Sequence, residues 1–205
     1  MKKAIIYLHG FNSASLNLHG DLLISKEKLL LLQTFCLQKD ILLYTPNIDY
    51  RDFENIIEDM LFQWNQLLDQ SNDVVFMGSS MGGFASEYLA MKTGSKAIMV
   101  NPAIMPSELL PQFIGVTENF ETGLAYSWAQ NHCDQYTEYE KELASSGHPI
   151  ERTIFLDMAD ELIDSKATQL KYKEIANIVT YEGGSHSFEH MQQALPIVEQ
   201  VIFNK

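Results

Sequence analysis

Residues Gly78-Ser79-Ser80-Met81-Gly82 form a G-x-S-x-G between the apolar run Val74-Val75-Phe76-Met77 and a stretch with helix-compatible composition, Gly83-Phe84-Ala85-Ser86-Glu87-Tyr88-Leu89-Ala90. A strand, this pentapeptide and a helix in that order describe a sharp elbow, in which a Cβ at either flanking glycine would clash and the central serine is held with its Oγ above the sheet edge. The pentapeptide alone arises by chance in roughly one chain in fifteen of this length. The flanking strand and helix are what make it informative.

Short apolar or β-branched runs recur at Ala4 to Leu8, Ile41 to Tyr44, Val74 to Met77, Ala97 to Val100, Thr153 to Leu156 and Ile178 to Tyr181, giving six predicted strands. Segments of helical spacing lie between most of them; Phe53, Ile56, Ile57, Met60, Trp64, Leu67 and Leu68 step by three and four along one face. Alternating strands and helices predict an α/β fold: a mostly parallel sheet of about six strands with helices on both faces and functional groups at the carboxyl ends of the strands. The rhythm breaks between about 103 and 150, where prolines and glycines surround aromatic pieces. We read this stretch as a small inserted cap on a single domain spanning 1–205. Its aromatic residues Phe113, Phe120, Tyr126 and Trp128 are expected to pack the cap, with lining a pocket as the alternative.

A chain of 205 residues can bury a core without staples. Its two cysteines, Cys36 and Cys133, are too few and too differently placed for a disulfide framework or metal cluster, and are expected to be reduced thiols in a cytoplasmic protein. The basic and then apolar start breaks off at His9-Gly10, as a first strand does and a signal peptide does not. No run approaches the length that spans a bilayer. The formal net charge of -13, with no basic cluster, argues against nucleic acid and membrane partners and mildly against strongly anionic substrates. Self-association is left open.

A serine hydroxyl is a weak nucleophile, so Ser80 needs a base and an acid to orient that base. Gly183-Gly184-Ser185-His186-Ser187-Phe188 follows the last predicted strand, where a glycine-rich loop can bring His186 back over the sheet as the base. His190, one helical turn on, reads as a solvated helix residue. The acid is expected beyond the preceding strand, where Asp157, Asp160, Glu161 and Asp164 cluster. Asp157 reads as a strand-end residue and Asp164 as a helix cap, which favours Asp160 and leaves Glu161 and Asp164 as alternatives.

An oxyanion hole would take the backbone N–H of Met81 and that of Phe11, in His9-Gly10-Phe11-Asn12-Ser13, with Gly10 giving close backbone approach and His9 ordering the loop. Neither His9 nor His132 beside Cys133 has partners spaced for a metal site. The glycines of the elbow lack the lysine of a P-loop and the spacing of a dinucleotide fingerprint, and no cofactor is expected. Asn101-Pro102-Ala103 reads as a strand-terminating turn, with an active-site rim role for Asn101 as the alternative.

Together, and in this order, these motifs resemble the YqiA-type family of small bacterial esterases, a branch of the α/β-hydrolases. The matching pieces are Tyr7 to Ser13, Gly78 to Gly83, Val100 to Ala103 with Glu108-Leu109-Leu110, Glu118-Asn119 with Thr122-Gly123, Asp160-Glu161 with Asp164, and Gly183-Gly184 with His186 and Phe188. They span almost the whole chain. The resemblance implies an α/β-hydrolase sheet lacking the first two strands of larger members, activity on short acyl esters, and Ser80, Asp160 and His186 as the triad. It departs after Ala103, where the family carries a basic residue and this chain runs Ile104-Met105-Pro106. The expected function is that of a serine carboxylester hydrolase working through an acyl-enzyme. The rivals are an acyl-CoA thioesterase or acyltransferase with the same triad, and a hydrolase-fold protein that binds a small ligand without turnover.

Overall fold

The computed structural model describes residues 2–23, 26–71, 73–147 and 149–204. Six parallel strands form one sheet: β1 (Lys3–Leu8), β2 (Ile41–Tyr44), β3 (Val74–Ser79), β4 (Lys96–Val100), β7 (Arg152–Asp157) and β8 (Asn177–Tyr181), in the order β2-β1-β3-β4-β7-β8. All six coincide with the predicted runs. Central strands of a parallel sheet are buried on both faces, which is why they read as continuous apolar segments.

Helices cover both faces. Successive β1 side chains divide between two cores, Ala4, Ile6 and Leu8 facing one and Ile5 and Tyr7 the other. The first core is completed by α2 (Phe53–Leu68) and α3 (Met81–Thr93), the second by α1 (Glu27–Gln38) and α7 (Met191–Phe203). In α2 the three-and-four spacing buries Phe53, Ile56, Ile57, Met60 and Leu67, and Asp52 caps its start by accepting the Asn55 amide at 3.0 Å.

Helix α3 is buried on every side from Met81 to Met91, so its one carboxylate, Glu87, has to be satisfied inside the protein. Arg152 Nε donates to it at 2.6 Å, and Tyr172 Oη, on α6 (Ser165–Tyr172), does so at 2.6 Å.

Between β4 and β7 come α4 (Pro106–Leu109), a 3-10 turn at Leu110–Phe113, the antiparallel hairpin β5 (Gly115–Glu118) and β6 (Ala125–Trp128), and α5 (Gln130–Ser145). The hairpin is tied to the loop after β1. Asn12 Nδ2 donates to Thr117 Oγ1 at 2.8 Å, the Phe120 amide to the Asn12 carbonyl at 2.8 Å, and Asn119 Nδ2 to the Ser13 carbonyl at 2.8 Å.

The aromatic residues here do not all pack as expected. Trp128 is buried in the first core and Phe113 and Tyr126 pack against it, Tyr126 also donating its hydroxyl to Asn12 Oδ1, whereas Phe120 is exposed and, with Phe113, lines the cavity described below. Both cysteines are buried and free. Among the described residues no helix is long and apolar enough to cross a membrane.

Candidate active site

The elbow at the end of β3 is a steric construction. A Cβ on Gly78 would lie 2.0 Å from the Gly82 carbonyl oxygen, and one on Gly82 would lie 1.9 Å from that of Leu8, so neither position accepts a side chain without moving backbone. Ser80 between them has φ 56° and ψ -121°, a conformation that L-residues avoid. It persists because its backbone is fixed from several sides: its N–H donates to Val100 O at 3.0 Å, and its carbonyl accepts from Gly83 N at 2.9 Å and Ala103 N at 3.0 Å.

Ser80 lines a cavity of about 560 Å³, within the range of small-ligand sites. The same cavity is lined by Phe11, Met81 and His186. Met81 is the first residue of α3, so its N–H has no intrahelical acceptor. Gly10 bears on Ser80 more than on a ligand: a Cβ there would come within 3.1 Å of Ser80 Cβ.

Of the four acidic residues that sequence spacing offered, Asp160 is the one bonded to the imidazole. Its Oδ2 lies 2.9 Å from His186 Nδ1, and its Oδ1 accepts the amides of Leu162 and Ile163 at 2.8 and 2.9 Å. Burial acts to raise the Asp160 carboxyl, but the bonds from His186 and those two amides outweigh it and hold the group below the usual carboxylate range. An ionised Asp160 can only accept at this contact, so the neutral imidazole that pairs with it carries its proton on Nδ1 and its lone pair on Nε2. Glu161 accepts the His186 backbone amide at 2.9 Å, and Asp164 caps α6 through the amides of Lys166 and Ala167.

Two residues have larger roles than the sequence indicated. His190 is not a solvated helix residue: Nδ1 lies 2.7 Å from Oδ1 of the buried Asp157, and its ring stacks on Tyr181 at 4.9 Å and 4°. Asp157 Oδ2 in turn accepts the Glu189 amide at 2.8 Å, so this second Asp–His pair anchors the loop that carries His186. The packing is close enough that a Cβ on Gly184 would lie 1.9 Å from Asp157 Oδ2.

Asn101, fully buried with φ 41°, ends β4 as the sequence suggested and also bridges to that loop. Its Nδ2 donates to the carbonyls of Ser185 at 3.0 Å and His186 at 3.4 Å, and its Oδ1 accepts the Asp157 amide at 2.9 Å. Replacing Asn101 by alanine is expected to cost about 2–4 kcal/mol, from buried groups left unpaired and the loss of a residue that tolerates positive φ. It should also lower kcat by at least about tenfold as the His186 loop drifts. Urea unfolding and steady-state kinetics on the same preparation check both.

His9 orders the loop after β1 as expected. Nδ1 donates to the Gly10 carbonyl at 2.8 Å, and Nε2 accepts the Ile48 amide at 2.8 Å, an arrangement available only to the neutral ring. Burial lowers its pKa to about 4. The unfolded chain therefore takes up this proton first: the stability from neutral His9 is complete above about pH 6.5 and lost as pH falls towards 4, a change of about 3 kcal/mol. Unfolding at pH 7 and 4.5 should show the decline, and His9→Asn should show a flatter one from a lower start. His132 has a comparable local role, with Nδ1 accepting the Ala129 amide at 3.0 Å at the start of α5.

A parallel sheet with a serine elbow after its third strand and a paired histidine after its last defines an α/β-hydrolase fold. The chain belongs to the uncharacterised protein family UPF0227, whose family model matches residues 4–202, in keeping with the YqiA-type resemblance of its motifs. It is similar to a UPF0227 protein of Vibrio parahaemolyticus, with 26% identity over 198 residues, 96% of this chain and 97% of that one. Among solved structures it is similar to Est1E from Butyrivibrio proteoclasticus, with a TM-score of 0.71, 17% identity, and coverage of 96% of this chain and 85% of that one. It is also similar to a structure of the metagenome-derived lipolytic enzymes LipS and LipT, with a TM-score of 0.73, 14% identity, and coverage of 99% and 94%.

Proposed function

We propose that this protein is a serine hydrolase of short-chain carboxylic esters that works through an acyl-enzyme. The observation that carries the reading is the conjunction of a backbone-strained Ser80 and an Asp160-bonded His186 on the wall of one cavity. In the proposed reaction Ser80 Oγ attacks the ester carbonyl and gives its proton to His186 Nε2. The Phe11 and Met81 amides bear the charge of the tetrahedral oxyanion. Collapse breaks the bond to the alcohol, which leaves with the proton from His186; water then attacks the acyl-serine by the same route in reverse.

The lipolytic activity named for LipS and LipT supports ester chemistry on this fold. The cavity supports small acyl groups, because Phe11, Leu109, Leu110, Phe113 and Leu162 give it an apolar wall. Hydrolysis of p-nitrophenyl acetate or butyrate, with a fluorophosphonate adduct mapped to Ser80, is the expected result. Well-folded protein that neither hydrolyses these esters nor takes the label would overturn the proposal and favour ligand binding without turnover. Matched oxygen esters and thioesters decide between esterase and thioesterase.

A further inference from the structure

Two of the fourteen basic residues of this acidic chain, Lys26 and Lys28, line the cavity that holds Ser80. They differ in how they are compensated. Lys26 Nζ is paired with Glu121 at 2.9 Å and also bonds Ser13 Oγ. Lys28, in the first turn of α1, donates to Ser79 Oγ at 2.7 Å, a neutral hydroxyl, and makes no ion pair with a carboxylate among the described residues. An ammonium has three donors, so two of those on Lys28 have no protein acceptor among the described residues.

Ser79 immediately precedes the nucleophile. Standard bond lengths and the 2.7 Å contact therefore keep Lys28 Nζ within about 9 Å of Ser80 Cα. Burial, and next the neighbouring charge of Lys26, lower the Lys28 pKa to about 7, with Asp157 and Asp160 acting in the opposite direction. Its charge is under-compensated where it stands, and an anion arriving there would restore it. Nothing in the proposed ester hydrolysis uses this cation.

We infer that Lys28 is the anchor of a carboxylate subsite in the catalytic cavity, and that the substrate is an ester whose acyl chain ends in a carboxylate, a half-ester of a four- or five-carbon dicarboxylic acid. One cation without a carboxylate partner matches one negative charge. The distance from Ser80 suits an acyl chain that places its carbonyl at the elbow and its far end on Lys28. The inference rests on the hydrolase reading and gives that site its substrate class. It also reverses the expectation from net charge, because a local cation decides recognition at contact distance where the field of the whole chain does not.

The test compares kcat/KM for mono-p-nitrophenyl glutarate and p-nitrophenyl butyrate. Wild-type protein should favour the charged ester at least tenfold. Lys28→Met should reduce that ratio about tenfold whatever its absolute rates, and Lys28→Arg should retain most of it. A wild-type ratio of one or below, or an unchanged ratio in Lys28→Met, overturns the subsite.

Glutarate binding to Ser80→Ala protein, measured by calorimetry, separates this inference from the hydrolase reading. Binding that weakens about tenfold in the Ser80→Ala, Lys28→Met double variant upholds the subsite even if no ester is turned over. Absence of binding, with p-nitrophenyl butyrate still hydrolysed by wild type, removes the subsite and leaves the hydrolase reading intact. Should Lys28→Met fail to fold, the wild-type ratio and the Lys28→Arg variant still decide.

Discussion

Ser80→Ala is expected to lower kcat on p-nitrophenyl butyrate by about 10⁶-fold while leaving the fold in place. The strained conformation at residue 80 is held by bonds from Val100, Gly83 and Ala103 to its backbone, and alanine keeps all of them. The substitution therefore removes the attacking oxygen and little else. Unfolding midpoints of the two proteins should agree closely, and fluorophosphonate labelling should vanish. A residual rate within a hundredfold of wild type would mean that another group or water performs the attack, and the acyl-enzyme scheme would fall.

The second large effect belongs to Asp160→Asn. Oδ1 of Asp160 is held by the amides of Leu162 and Ile163, so an asparagine keeps its oxygen there and turns its NH2 group towards His186. The imidazole must then accept at Nδ1, which moves its proton to Nε2, the atom that should receive the Ser80 proton. A loss of about 10⁴ in kcat follows from this tautomer change, with little change in stability because the loop's own bonds survive. Glu161→Gln and Asp164→Asn provide the contrast. Glu161 holds only the His186 backbone and Asp164 caps a helix, so both should lose far less. A collapse of activity in either, with Asp160→Asn near wild type, would reassign the acid.

The sheet was legible in the sequence because β1, β3, β4 and β7 are buried on both sides and their apolar runs are continuous. The hairpin β5–β6 was not, since its strands are short and largely exposed, with Val116 at 86%, and carry no hydrophobic alternation to read. Among the candidate site residues, Ser80 and His186 are marked by the glycines their turns require. Asp160 is favoured within its acidic cluster only by setting Asp157 and Asp164 aside, because its own distinction is a three-dimensional one, an oxygen aimed at a ring 26 residues away.

The same limit hid Asp157 with His190, and Lys28, and left a rim role for Asn101 as an alternative to a simple turn. Lys28 lies 51 residues before the serine it touches, at the start of a leucine-rich helix whose spacing says nothing of that contact. His190 read as solvated for a comparable reason: its partner Asp157 is 33 positions earlier, and helical spacing gives no hint of it.

The stitching of the β5–β6 hairpin to Asn12 and Ser13 has a further bearing on how such an enzyme could be altered. Phe11, whose amide is proposed to hold the oxyanion, sits next to the residue that carries three of those bonds. The segment that shapes the mouth of the cavity and the turn that presents the amide therefore form one mechanical part. On the proposed mechanism, exchanging the hairpin to admit a different acyl chain would shift the amide with it, so selectivity and turnover would change together.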